Sequence, residues 1–169
     1  MPPEPAPGPR VDRRGGAGSA DRVASPDGGT ALTAANGRRA TAAVRALAGL
    51  ELLIAAAAIY GGVGLAAGNL IGMPDDWLAG TPFTSWLWPG VFLLLVVAVP
   101  MVAAAVLELR HDRRAVVASV LAGAAQVGWI AVQLLVMQRY HVLQPVMSLA
   151  GLAVLVLAVA IHCRLPKGS

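Results

Sequence analysis

The sequence predicts an all-α integral membrane four-helix bundle with a disordered N-terminal tail, and three observations predict it. The chain is 57% hydrophobic and only 13% charged, with a mean hydropathy of +0.67, far more apolar than a soluble domain. It contains four apolar runs that, at about 1.5 Å per helical residue, can cross a hydrocarbon layer of about 30 Å. Finally, the arginines collect on alternate connections between those runs, the pattern that sets the orientation of multi-pass proteins.

Residues 1–43 are rich in Pro, Gly, Ala, Ser and Arg and lack apolar periodicity. Such a stretch buries too little apolar surface to offset its ordering entropy, so a disordered cytoplasmic tail is expected. A cleaved signal peptide fits less well, because the following apolar run is longer than the 7 to 15 residues of a signal core. An uncleaved signal anchor fits better.

The first span is expected at about 44–68, interrupted only by Glu51. Its second half holds Gly61, Gly62, Gly64, Ala67 and Gly68, and small residues four apart, Gly64 with Gly68 or Ala57 with Gly61, let helices approach closely. The connection to the second span carries Trp77, Phe83 and Trp86, with Trp88 just beyond. These rings suit the level of the lipid headgroups. Asp75 and Asp76 suit the cap of a helical turn in the interface better than a metal site, having no third ligand nearby.

The second span, about 88–107, contains Pro100, which frees the carbonyl of Val96 and predicts a kink. The third, 115–137, has no charge but carries Gln126, Trp129 and Gln133 on one helical face, with Ser119 toward its start. The fourth, about 145–163, has Ser148 and His162 as its polar interruptions, and residues 164–169 form a short cytoplasmic tail.

Arg38, Arg39, Arg45, Arg110, Arg113, Arg114, Arg164 and Lys167 flank the spans on one side, against Arg139 alone on the other. Both termini are therefore expected in the cytoplasm, with a cell membrane as the location. The net charge of +4 serves this topology and forms no nucleic-acid-binding arm. The single cysteine, Cys163, excludes an internal disulfide and any Cys-x-x-Cys pair. Facing a reducing compartment, it is expected to be an inert thiol.

Depth along each span places Glu51, Ser119, Gln126 and the Pro100 kink at comparable levels, with Tyr60 farther out. A bundle that points them inward has a polar interior along the third span, where Gln126 would meet spans one and two. Two readings of that interior stand. In one, Glu51 is neutral or reaches toward Arg113 or Arg114 while Gln126, Gln133 and Tyr60 bond across helices. In the other, Glu51, Tyr60, Ser119, Gln126, Trp129 and Gln133 line a cavity for a lipid-like or small amphiphilic ligand.

His141 and His162 fall at opposite membrane faces, and His111 lies beside Asp112 in a connection, so no shared metal or cofactor is expected. No serine has a plausible base, no glycine-rich loop follows a strand, and no paired carboxylates are expected within the membrane. The reading is of a non-enzymatic accessory or small amphiphile- or lipid-binding bundle, with a proton-coupled exporter using Glu51 as the alternative. Its surroundings are the lipid bilayer, with room for a second copy of the chain or another membrane protein, and no nucleic acid.

The residues Glu51-Leu52-Leu53, Ala58-Ile59-Tyr60-Gly61-Gly62, Gly80-Thr81-Pro82-Phe83, Trp86, Pro89-Gly90, Trp129-Ile130, Gln133 and Leu143-Gln144-Pro145 resemble those of a family of small bacterial four-span membrane proteins of uncharacterised activity. The resemblance covers about residues 44–162 and implies the four-helix bundle. In size and span count the chain is also loosely similar to the DoxX-like proteins. A glutamate in the first of four spans resembles the small multidrug-resistance transporters in outline, but the long connection between spans one and two departs from their pattern.

Overall fold

The computed structural model describes residues 27–138 and 142–164. Among them, four helices are long and apolar enough to cross a membrane, making this a multi-pass membrane protein by length and composition. Helix α1 is Asp27–Ala66, α2 is Leu87–Leu109, α3 is Ala115–Met137 and α4 is Leu143–Arg164. Neighbours in sequence pack against one another and α4 closes back onto α1, an antiparallel up-and-down bundle.

Helix α1 begins at Asp27, 17 residues before the expected start of the span near 44. Residues 27–43 are rich in alanine, which adopts the helix with least loss of side-chain freedom. They therefore favour continuation of the helix of the span backward through them. The rest of the tail, residues 1–26, lies outside the described residues.

At its other end α1 stops at Ala66, so Gly68 falls outside the span. Gly68 and Asn69 both take positive φ, 92° and 58°, and the amide of Leu70 donates back to the carbonyl of Gly64, closing the helix end. Asn69 then holds the loop: its side chain donates to the carbonyl of Met73 at 2.6 Å and accepts from the Met73 amide at 2.9 Å.

The connection between α1 and α2 is not simply a belt of interfacial rings. Trp86 is buried with Leu65 and Leu78 in a small core flanked by Met73, Trp77 and Phe83. Its indole Nε1 donates to Asp75 Oδ1 at 2.9 Å. The helical turn Asp75–Leu78 forms as expected, but neither aspartate caps it, because the Asp75 carboxylate is turned to the indole. Trp88, 54% exposed, keeps the lipid-facing role.

Glycine sets two helix crossings, and they are not the expected pairs. A Cβ on Gly90 of α2 would stand 2.6 Å from the carbonyl oxygen of Gly62 and 2.8 Å from the amide nitrogen of Ala66 on α1. A Cβ on Gly123 of α3 would stand 2.9 Å from the carbonyl oxygen of Gly151 on α4. The close approaches thus run between helices, with no Cβ in the way. Of the residues expected to pack, Ala57 faces outward, Gly61 meets only Leu93, Gly64 meets Ile71, and Gly68 serves the turn.

Pro100 acts through a π-helical turn, Leu94–Ala98, just before it. The Val99 amide reaches back five residues to the Leu94 carbonyl, widening the helix by one residue where proline cannot donate. This turn lies against α1 and α3. The span Leu87–Leu109 runs on through this turn.

Candidate functional site

Buried residues on α1 recur at Leu47, Ala48, Glu51, Ile54, Ala55 and Ala58, the spacing of one helical face. Glu51 occupies a core position in that stripe. On α2 the stripe is Met101, Ala104, Ala105 and Glu108, and on α3 it includes Ala115, Ser119, Ala122, Gln126 and Ile130. Three helices thus each commit a polar residue to the interior, near the end of the bundle that carries Arg45, Arg113 and Arg114.

The result is a cluster of Glu51, Ser119 and Glu108. Ser119 and Glu108 are the polar groups that act on Glu51. Ser119 Oγ donates to Glu108 Oε1 at 3.3 Å. A hydroxyl has one proton to give, and with it directed at Glu108 neither carboxylate oxygen of Glu51 has a hydrogen-bond partner. Glu51 is 0% exposed, so it does not reach toward Arg113 or Arg114, whose side chains are themselves exposed. The expectation of no paired carboxylates within the membrane is corrected here. The second span runs two residues beyond the expected 107 and carries Glu108 inside. The missed signal is its spacing: Glu108 is seven residues after Met101, on the same face.

Gln126 lies two helical turns beyond Ser119. It is 3% exposed, and its Nε2 donates to the carbonyl oxygen of Met147 on α4 at 3.4 Å. Its partner comes from the fourth span, not the first or second. Gly151 makes this approach possible, since a Cβ there would stand 2.8 Å from Gln126 Cγ. Gln126 Oε1 has no partner, and neither does the buried Nε1 of Trp129 one turn farther along. The Trp129 ring packs 6.3 Å from Phe92 of α2, centroid to centroid. Phe92 in turn lies 6.4 Å from Trp88 and 6.2 Å from Phe83, a run of aromatic rings leading from Trp129 to the loop.

Two of the six expected residues stand apart. Tyr60 is 76% exposed and faces away from the bundle. It follows Glu51 by nine residues, and at 3.6 residues per turn that is two and a half turns, the opposite face. Gln133 is half-buried, seven residues beyond Gln126 at the rim of the same stripe. No group of three or more His, Cys, Asp or Glu able to hold a metal occurs among the described residues. His141 and the side chain of His162 fall outside them.

A cleft of about 520 Å³ lies at the opposite end of the bundle between the α1 terminus and the loop, beside Asn69, Asp75 and Trp86. It does not reach the carboxyl cluster. Comparison with protein-family models, curated proteins and solved structures finds no match for this chain. Among the described residues, four helices are long and apolar enough to span a membrane, the number that the resemblance implies.

Proposed function

We propose that this protein is a non-enzymatic membrane bundle that receives the cationic group of a small amphiphile at Glu51, in exchange for a proton. One observation carries the reading: both oxygens of a fully buried carboxyl group have no partner, beside a second buried carboxyl at Glu108. An ionised carboxylate there has no counter-charge, and only the one Ser119 proton, shared with Glu108, within reach to offset its desolvation. Two chemical species supply what is lacking, a proton or a positive charge, and they exclude each other on the same oxygens. A purely structural carboxyl would instead have its hydrogen bonds completed within the bundle.

Dodecyltrimethylammonium provides a direct test, because a quaternary ammonium brings no proton of its own. Added below its micelle-forming concentration to the purified full chain in weakly buffered detergent, it is expected to release acid in step with binding. Glu51→Gln is expected to bind it at least tenfold more weakly and release none. Binding of equal strength in Glu51→Gln, or an absence of binding in the native chain, contradicts the proposal.

The π-helical turn favours a carrier over a fixed accessory. It divides α2 into one half held at the Gly62–Gly90 crossing and another that brings Glu108 to Ser119, joined where Pro100 interrupts the hydrogen-bond ladder. π-turns of this kind occur frequently at functional sites. In this reading Glu108 shifts relative to Glu51 as the cation and proton exchange.

The arginine distribution supports a cell-membrane location with both termini and the carboxyl cluster on the cytoplasmic side. Thr84 is exposed in the opposite connection, so Thr84→Cys in a Cys163→Ser background is expected to react with a membrane-impermeant maleimide on intact cells. Labelling only after lysis would reverse the orientation.

A further inference from the structure

We infer that Gln126 and Trp129 form a second binding point in the interior of the bundle, one that takes a neutral hydroxyl oxygen. This point is separate from the carboxyl cluster and does not depend on cation binding there. Two buried polar atoms, Gln126 Oε1 and Trp129 Nε1, lack partners, and their residues are three apart and therefore neighbours on one face of α3.

The chemistry of the two atoms specifies the guest. An indole N–H only donates, and an amide oxygen only accepts. A single atom that satisfies both must accept from the first and donate to the second. A carbonyl or ether oxygen accepts but cannot donate, and an ammonium donates but cannot accept. A hydroxyl does both, so the guest is a water molecule or the hydroxyl of an amphiphile.

The surroundings hold both atoms in place. Gln126 is fixed through its Nε2, which donates to the Met147 carbonyl, an arrangement that leaves Oε1 free to receive. Gly151 allows this contact, because a side chain there would collide with Gln126. The Trp129 ring is held against Phe92 and packs on the central apolar core. Unpaired buried polar groups of this kind are ordinarily satisfied by an ordered molecule.

The test reads the Trp129 indole proton by NMR in the full chain, labelled with 15N-tryptophan in detergent micelles, with Trp129→Phe assigning the resonance among four tryptophans. If water is the guest, the native indole proton shows a cross peak to a bound water that is lost in Gln126→Leu. If an amphiphile is the guest, 1-dodecanol shifts the resonance saturably in the native chain, the shift is lost in Gln126→Leu, and 1-methoxydodecane, which cannot donate, produces none. Either result supports the inference. The two measurements on the native chain decide the matter even where Gln126→Leu fails to fold. An indole proton with no water cross peak and no response to the alcohol overturns it, including the case where the indole bonds directly to Gln126.

Discussion

Gly90→Leu is expected to separate α1 from α2 and to lower the stability of the bundle by about 3 kcal/mol, the upper part of the usual range for overpacking. The first atom of any side chain at this position meets backbone, the Gly62 oxygen at 2.6 Å and the Ala66 nitrogen at 2.8 Å. Neither can move aside by rotation as a side chain can. The helices must part along the crossing that seats the outer loop, and the small core of Leu65, Leu78 and Trp86 opens with them. Gly128→Leu is the matched control, because a Cβ there meets nothing within 4 Å. Thermal unfolding followed by size-exclusion chromatography should separate the two variants by many degrees, and equal midpoints would show that the crossing bears little of the stability.

Glu51→Met is expected to act in the opposite direction, stabilising the folded bundle by about 1 to 2 kcal/mol while abolishing cation-linked proton release. With the Ser119 proton directed at Glu108, the side chain to be removed has no hydrogen bond of its own to lose, and its replacement places apolar atoms among Leu47, Ile54 and Ala55, which share its face. Glu108→Met is the informative contrast. It removes the acceptor of the Ser119 hydroxyl, which is then free to turn its proton to the open oxygens of Glu51, so stability is expected to change by less than about 1 kcal/mol. The two variants are compared by thermal midpoint at neutral pH in the same detergent. A lower midpoint for Glu51→Met than for the native chain would make Glu51 a structural residue. A gain in stability coupled to loss of exchange is the trade-off expected where a site keeps a poorly satisfied group for function.

The membrane-spanning architecture is legible along the chain because it rests on long apolar runs, and the third span, 115–137, coincides with its helix. The departures have separate physical causes. The start of α1 escapes a reading of composition, which measures hydrophobicity, whereas alanine-rich polar residues extend an existing helix without being buried. Glu108 escapes it because a charged residue at the end of an apolar run reads as the start of a connection. Depth alone places Tyr60 inward, although its angular position relative to Glu51 already sets it on the other face.

Four membrane-spanning helices, with Glu51, Ser119 and Gln126 inside them, are written into the order of residues. Hydrophobicity and length act locally, so these properties need no knowledge of neighbours. Which polar groups meet is a matter of packing. The rotation of each helix about its axis is set by contacts with the others, above all where Gly62 meets Gly90 and Gly123 meets Gly151. Those crossings turn Glu108 toward Ser119, bring Gln126 to the backbone of α4, and leave the oxygens of Glu51 unpartnered in the interior.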